Sequence, residues 1–83
     1  MKVIIYGKDP CSNCDKARLL CQMQSLAFEY RHVGTDISIE DLQLQVGHPV
    51  RAVPQIFIDR GGAVEHVGGY EELRLALHAG TYA

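Results

Sequence analysis

Four strand-favouring residues, Val3-Ile4-Ile5-Tyr6, run through Gly7-Lys8-Asp9-Pro10 directly into a helix-like segment that starts at Cys11-Ser12-Asn13-Cys14. A buried strand that turns straight into a helix points to an α/β layer arrangement, and the two cysteines stand at the junction. At that junction unpaired amide groups and the helix dipole favour an anion, so Cys11 sits where a thiolate is stabilised. Cys14, one turn deeper, is close enough to attack a mixed disulfide formed on Cys11. In this context the spacing reads as a redox dithiol rather than as half of a zinc site.

The rest of the chain follows from period and punctuation. Lys2 to Tyr6 is a short buried strand closed by Gly7 and Asp9-Pro10. A helix is predicted from Ser12 to Gln24, with Asp15 in its first turn and Cys14, Ala17 and Cys21 on one inward face. Ala27 to Val33 alternates as a second strand. Ser38-Ile39-Glu40-Asp41 resembles a capping box, and Ile39, Leu42 and Val46 make the apolar stripe of a second helix that stops at Gly47. Gln55 to Ile58 and Val64 to Val67 flank Asp59-Arg60-Gly61-Gly62, the signature of an antiparallel hairpin. A last helix from Tyr70 to His78 buries Leu73, Ala76 and Leu77 and ends at Gly80. The sum is β-α-β-α-β-β-α, and short right-handed connections favour a four-stranded mixed sheet covered by three helices. Tyr6, Phe28, Phe57 and Leu77 read as core, as does the thiol of Cys21.

Eighty-three residues with 47% hydrophobic composition make one domain, residues 1–83. A net charge of −2 gives no electrostatic reason to bind nucleic acid or an anionic membrane. Four strongly apolar residues after Met1-Lys2 form neither a signal-peptide core nor a membrane span, so a cytoplasmic location is expected. Three cysteines in a reducing compartment do not form a structural framework. His32, His48, His66 and His78 are too widely spaced to build a zinc site with the cysteine pair, and no bound metal is expected.

Three ordered matches make the chain resemble a glutaredoxin, a small dithiol member of the thioredoxin superfamily. Lys8-Asp9-Pro10-Cys11-Ser12-Asn13-Cys14 stands where that family has a basic residue and C-P-Y-C. Pro49-Val50-Arg51-Ala52-Val53-Pro54-Gln55-Ile56-Phe57-Ile58 is similar to its T-V-P-Q-I-F segment, and Val67-Gly68-Gly69-Tyr70-Glu71-Glu72-Leu73 to its G-G-x-D-D-L signature. The resemblance implies a thioredoxin-like fold and a thiol–disulfide oxidoreductase that uses glutathione as electron-donating cosubstrate. Its substrates would be protein disulfides and glutathione mixed disulfides, with ribonucleotide reductase a candidate partner by family analogy. A monomer is expected.

The same resemblance assigns roles. Cys11 is the nucleophile and Cys14 the resolving thiol. Val53-Pro54 is a cis-proline loop whose Val53 backbone pairs with glutathione like an added strand. The amides that open the last helix, over Gly69, Tyr70, Glu71 and Glu72, suit the γ-glutamyl carboxylate, and Glu71 or Glu72 the α-ammonium. Lys8 is a candidate for the glycine-end carboxylate; Arg51 is another, though it reads first as a solvated surface charge. Asp9 and Asp15 oppose a thiolate at Cys11. Two departures qualify the match. Ser12-Asn13 replaces Pro-Tyr, and serine there is associated in the family with an iron–sulfur cluster held between two chains and two glutathiones through Cys11. Ala52 replaces threonine, which removes a hydroxyl from the groove and predicts a weaker hold on glutathione. Two alternatives therefore stand beside the enzyme: an iron–sulfur carrier dimer, and a glutaredoxin-like electron donor reduced by thioredoxin reductase, against which the acidic pair weighs.

Overall fold

The structure is a computed structural model and describes residues 1–78, so the helix stop expected at Gly80 lies outside the described residues. The element order is β1 (Lys2–Gly7), α1 (Ser12–Met23), β2 (Phe28–His32), α2 (Ile39–Val46), β3 (Gln55–Asp59), β4 (Val64–Gly68) and α3 (Tyr70–His78). It matches the expected β-α-β-α-β-β-α, with each boundary within a residue or so. The four strands form one mixed sheet in the order β2-β1-β3-β4. β1 runs parallel to β2 with Ile5 opposite Tyr30, and antiparallel to β3 with Ile5 opposite Ile56.

Strand alternation divides the core between the two faces of this sheet. Val3, Ile5, Ile56 and Ile58 point to one face, where Ala17 and Cys21 of α1 and Leu73 of α3 close over them. Ile4, Tyr6 and Phe57 point to the other and meet Val33 and Leu42. Each fully buried Ile or Leu on these faces contributes about 1.5–3 kcal/mol by leaving water. Tyr6 and Phe57 add an edge-to-face ring contact with centroids 5.5 Å apart. Phe28 and Leu77 are only partly buried and pack against the first cluster. On α2 only Leu42 is fully enclosed, and Ile39 stays 37% exposed, so the stripe expected there is narrower than its spacing suggests.

Local chemistry fixes the helix ends. Ser38 Oγ accepts the Asp41 backbone N–H at 3.1 Å at the start of α2. Gly47 ends that helix in the left-handed conformation, φ 92°, with its N–H donating to the Gln43 carbonyl at 2.8 Å. The inward face of α1 consists of Cys14, Ala17 and Cys21, all without exposure. Among the described residues no helix is long and apolar enough to cross a membrane.

Candidate active site

β1 ends at Gly7, and the turn Lys8-Asp9-Pro10, with a cis Asp9–Pro10 bond, delivers Cys11 to the start of α1. Cys11 is the N-cap residue, extended at φ −155° and ψ 106°. Its Sγ accepts the Cys14 backbone N–H at 3.1 Å, and its carbonyl accepts the Asp15 N–H at 3.1 Å. A sulfur in this position takes the place of the usual capping oxygen, so the helix amides act on it directly. Cys11 and Cys14 are joined in a disulfide with Cα atoms 5.2 Å apart. Cys11 is partly accessible, whereas Cys14 is wholly buried.

The second element of the site comes from the far side of the sheet. Val53–Pro54 is a cis peptide, as the resemblance implies, and the Val53 carbonyl lies 3.8 Å from Cys11 Sγ. The Pro54 carbonyl in turn lies 3.7 Å from where a Cβ on Gly69 would stand, so the start of α3 adjoins this loop. There the Gly69 N–H donates to Glu72 Oε1 at 2.7 Å, while Glu71 pairs with Arg74 at 2.9 Å. Cys11, Val53, Pro54, Gly69 and Glu72 thus form one continuous strip. Lys8 joins it from the other end, lining a cleft of about 210 Å³ with Arg51, Val50 and Val53. The structure does not turn every expected residue toward that strip. Glu71 reaches outward along α3, and the Tyr70 side chain packs in the seam between α1 and α3 beside Leu19, Leu20 and Met23.

Asp9 and Asp15 both have cationic or ionisable partners. His32 Nε2 lies 3.3 Å from the Asp9 carboxylate, and Arg18 holds Asp15 in a close ion pair. Their opposition to a Cys11 thiolate is correspondingly smaller than the sequence suggests. The sequence reading also missed Tyr30. Its ring lies 4.3 Å beneath the Arg18 guanidinium carbon, and its hydroxyl donates to the Lys8 carbonyl at 3.3 Å. Burial pushes that hydroxyl's pKa up, and Arg18 offsets part of the rise. Sequence distance hid this contact, which exists only because β2 pairs in parallel with β1.

Cys21, the remaining thiol, is packed under the sheet, and burial pushes its pKa up to about 11. A hollow of about 710 Å³ between β2 and α2 is lined by Glu29, Arg31, Asp41 and Gln45 and contains none of the three sulfurs. Among the described residues no three His, Cys, Asp or Glu side chains gather as a metal site.

Comparison with known proteins bears on the same residues. A sequence model of the glutaredoxin family matches residues 3–62. The chain is 37% identical over 78 residues to glutaredoxin 1 of Escherichia coli (strain K12), covering 87% of each chain. It is 42% identical over 65 residues to a glutaredoxin of Haemophilus influenzae, covering 71% of this chain and 75% of that one. Its fold superimposes on the structure of oxidized E. coli glutaredoxin with a TM-score of 0.76 at 30% identity, over 100% of both chains.

Proposed function

The chain belongs to the glutaredoxin family and is a thiol–disulfide oxidoreductase acting through the Cys11/Cys14 pair, and from that footing we propose that it draws its electrons from glutathione, with Cys11 as nucleophile and Cys14 as resolving thiol. In the forward direction the Cys11 thiolate attacks one sulfur of a substrate disulfide and expels the other as a thiolate. Cys14 then attacks Cys11 Sγ, frees the second substrate sulfur and closes the Cys11–Cys14 disulfide. One glutathione thiolate opens that bond at Cys11. A second attacks the glutathione sulfur of the resulting mixed disulfide, returning Cys11 as a thiolate and leaving as glutathione disulfide. Two glutathiones supply the two electrons.

The observation that carries this reading is the double position of Cys11 Sγ. It caps α1 at 3.1 Å from the Cys14 amide and lies 3.8 Å from the Val53 carbonyl. A peptide-like reductant laid along Val53 with backbone pairing therefore brings its own sulfur to Cys11. Farther along the strip, the α3 amides suit the γ-glutamyl carboxylate and Glu72 suits the ammonium beside it, because Glu72 rather than Glu71 lies on the Pro54 side. Lys8 and Arg51 flank the cleft at the opposite end, where the glycine carboxylate would lie. Residues 1–83 acting as one monomeric domain in a reducing cytoplasm, with ribonucleotide reductase among the substrates, belong to the same proposal.

A coupled assay tests it. Reduction of a glutathionylated peptide is followed with glutathione and glutathione reductase in one arm and thioredoxin reductase in the other. Turnover is expected in the first arm. Turnover confined to the second would overturn glutathione as the donor.

A further inference from the structure

We propose that Tyr30 is a catalytic residue of the dithiol cycle, its hydroxyl donating a hydrogen bond to Cys14 Sγ as that sulfur leaves Cys11 and again when it returns to attack. The inference rests on the cycle set out above and adds a group to it. Cys14 is wholly buried, so a thiolate formed there is cut off from water and requires a donor from the protein. Its own backbone N–H points to Cys11 Sγ and does not serve.

Tyr30 supplies the missing donor. Its hydroxyl oxygen and Cys14 Sγ both lie under 3.0 Å from the point where a Cβ on Gly7 would stand, so they border the same spot, left open because that glycine has no side chain. Two neighbours pack on the ring, the Arg18 guanidinium carbon 4.3 Å from its centroid and the His32 ring in a T-shaped contact at 4.9 Å. In the disulfide state the hydroxyl rests on the Lys8 carbonyl at 3.3 Å, a long bond that a stronger acceptor can replace. A tyrosine phenol is protonated at neutral pH and burial raises its pKa further, so it remains a donor.

The step balances. An attacking thiolate bonds to Cys11 Sγ and the Cys11–Cys14 bond breaks with its electron pair going to Cys14. The attacking sulfur is oxidised to the disulfide level as Cys14 is reduced. Tyr30 keeps its proton throughout, and Cys14 later takes one from solvent. In the reverse direction the same hydrogen bond raises the thiolate fraction of Cys14 and speeds closure.

The test is a single-turnover reduction of the preformed disulfide in wild type and Tyr30→Phe, which keeps the ring and loses only the hydroxyl. A rate about tenfold lower is expected, the low end of what a hydrogen bond to a charged group contributes. That loss should vanish in a Cys14→Ser background, where deglutathionylation needs Cys11 alone. A wild-type rate in Tyr30→Phe would overturn the proposal, as would an equal slowing in the Cys14→Ser background, which a merely structural role produces. Each rate is measured with glutathione and with dithiothreitol. A tenfold difference that persists with dithiothreitol while glutathione reduces neither protein would support Tyr30 and overturn the glutathione reading alone.

Discussion

Glu72 Oε1 accepts the backbone N–H of Gly69 at 2.7 Å, turning back over the start of its own helix, whereas Glu71 reaches away to Arg74 at 2.9 Å. The two neighbouring carboxylates thus face different surroundings, and it is Glu72 that shares with the Pro54 carbonyl the space beside Gly69. Glu72→Gln keeps an oxygen for the Gly69 amide and removes the charge. It should raise KM for glutathione about fivefold with kcat little changed, the scale of an exposed ammonium–carboxylate pair. Glu71→Gln should shift KM by less than about twofold. Steady-state kinetics on both variants decides, and a larger effect at Glu71 would reverse the assignment.

The burial difference within the dithiol separates two activities. A substrate disulfide can reach Cys11, while Cys14 is enclosed and meets only a sulfur already bound to Cys11. Cys14→Ser should therefore retain reduction of glutathionylated peptides and lose reduction of protein disulfides, with Cys11→Ser losing both to the uncatalysed rate. Parallel assays on the two substrate types check this. Loss of both activities in a folded Cys14→Ser protein would refute the division of roles.

Much of this site could be read from the chain because its parts are local. The inward face of α1 shows in the spacing of Cys14, Ala17 and Cys21, and the ends of α2 in Ser38 and Gly47. The cis bond at Pro54 came only from family resemblance, since the local preference of an X–Pro bond is trans. Asp9–Pro10 is also cis, and nothing in the sequence reading distinguished it. What stayed hidden depends on tertiary register. Setting Ile5 opposite Tyr30 carries Tyr30 to Cys14 and His32 to Asp9, partners 16 or more residues away in the chain whose meeting no periodicity encodes.

Gly7 is where that register becomes a packing constraint. A methyl group there would overlap the Tyr30 hydroxyl and stand 2.8 Å from Cys14 Sγ. Gly7→Ala should cost about 1–3 kcal/mol, as overpacking does, and should also slow dithiol turnover. Gly47→Ala meets open space and is strained only by its left-handed backbone, so it should cost about 1 kcal/mol and leave turnover unchanged. Urea denaturation of the two variants checks the contrast. Combining Gly7→Ala with Tyr30→Phe should restore part of the lost stability, because the hydroxyl is the nearest of the three atoms in the way, Cys14 Sγ and Tyr30 Cζ being the others.

Cys21 gives the fold a dependence on alkaline pH that is separate from the active site. Burial pushes its thiol from the ordinary 9.0 up to about 11. The unfolded chain releases this proton near pH 9 while the folded chain holds it to about 11, so across that window the native state binds more protons. The contribution is therefore complete below pH 9 and is lost as pH rises toward 11. The full shift corresponds to about 2–3 kcal/mol, roughly 1 kcal/mol of it gone by pH 10. Cys21→Ala should be less stable than wild type at neutral pH because it leaves a gap against Ala17 and Ile56. Its urea midpoint should nevertheless fall less steeply between pH 9 and 11, and identical slopes for the two proteins would show that the thiol titrates independently of folding.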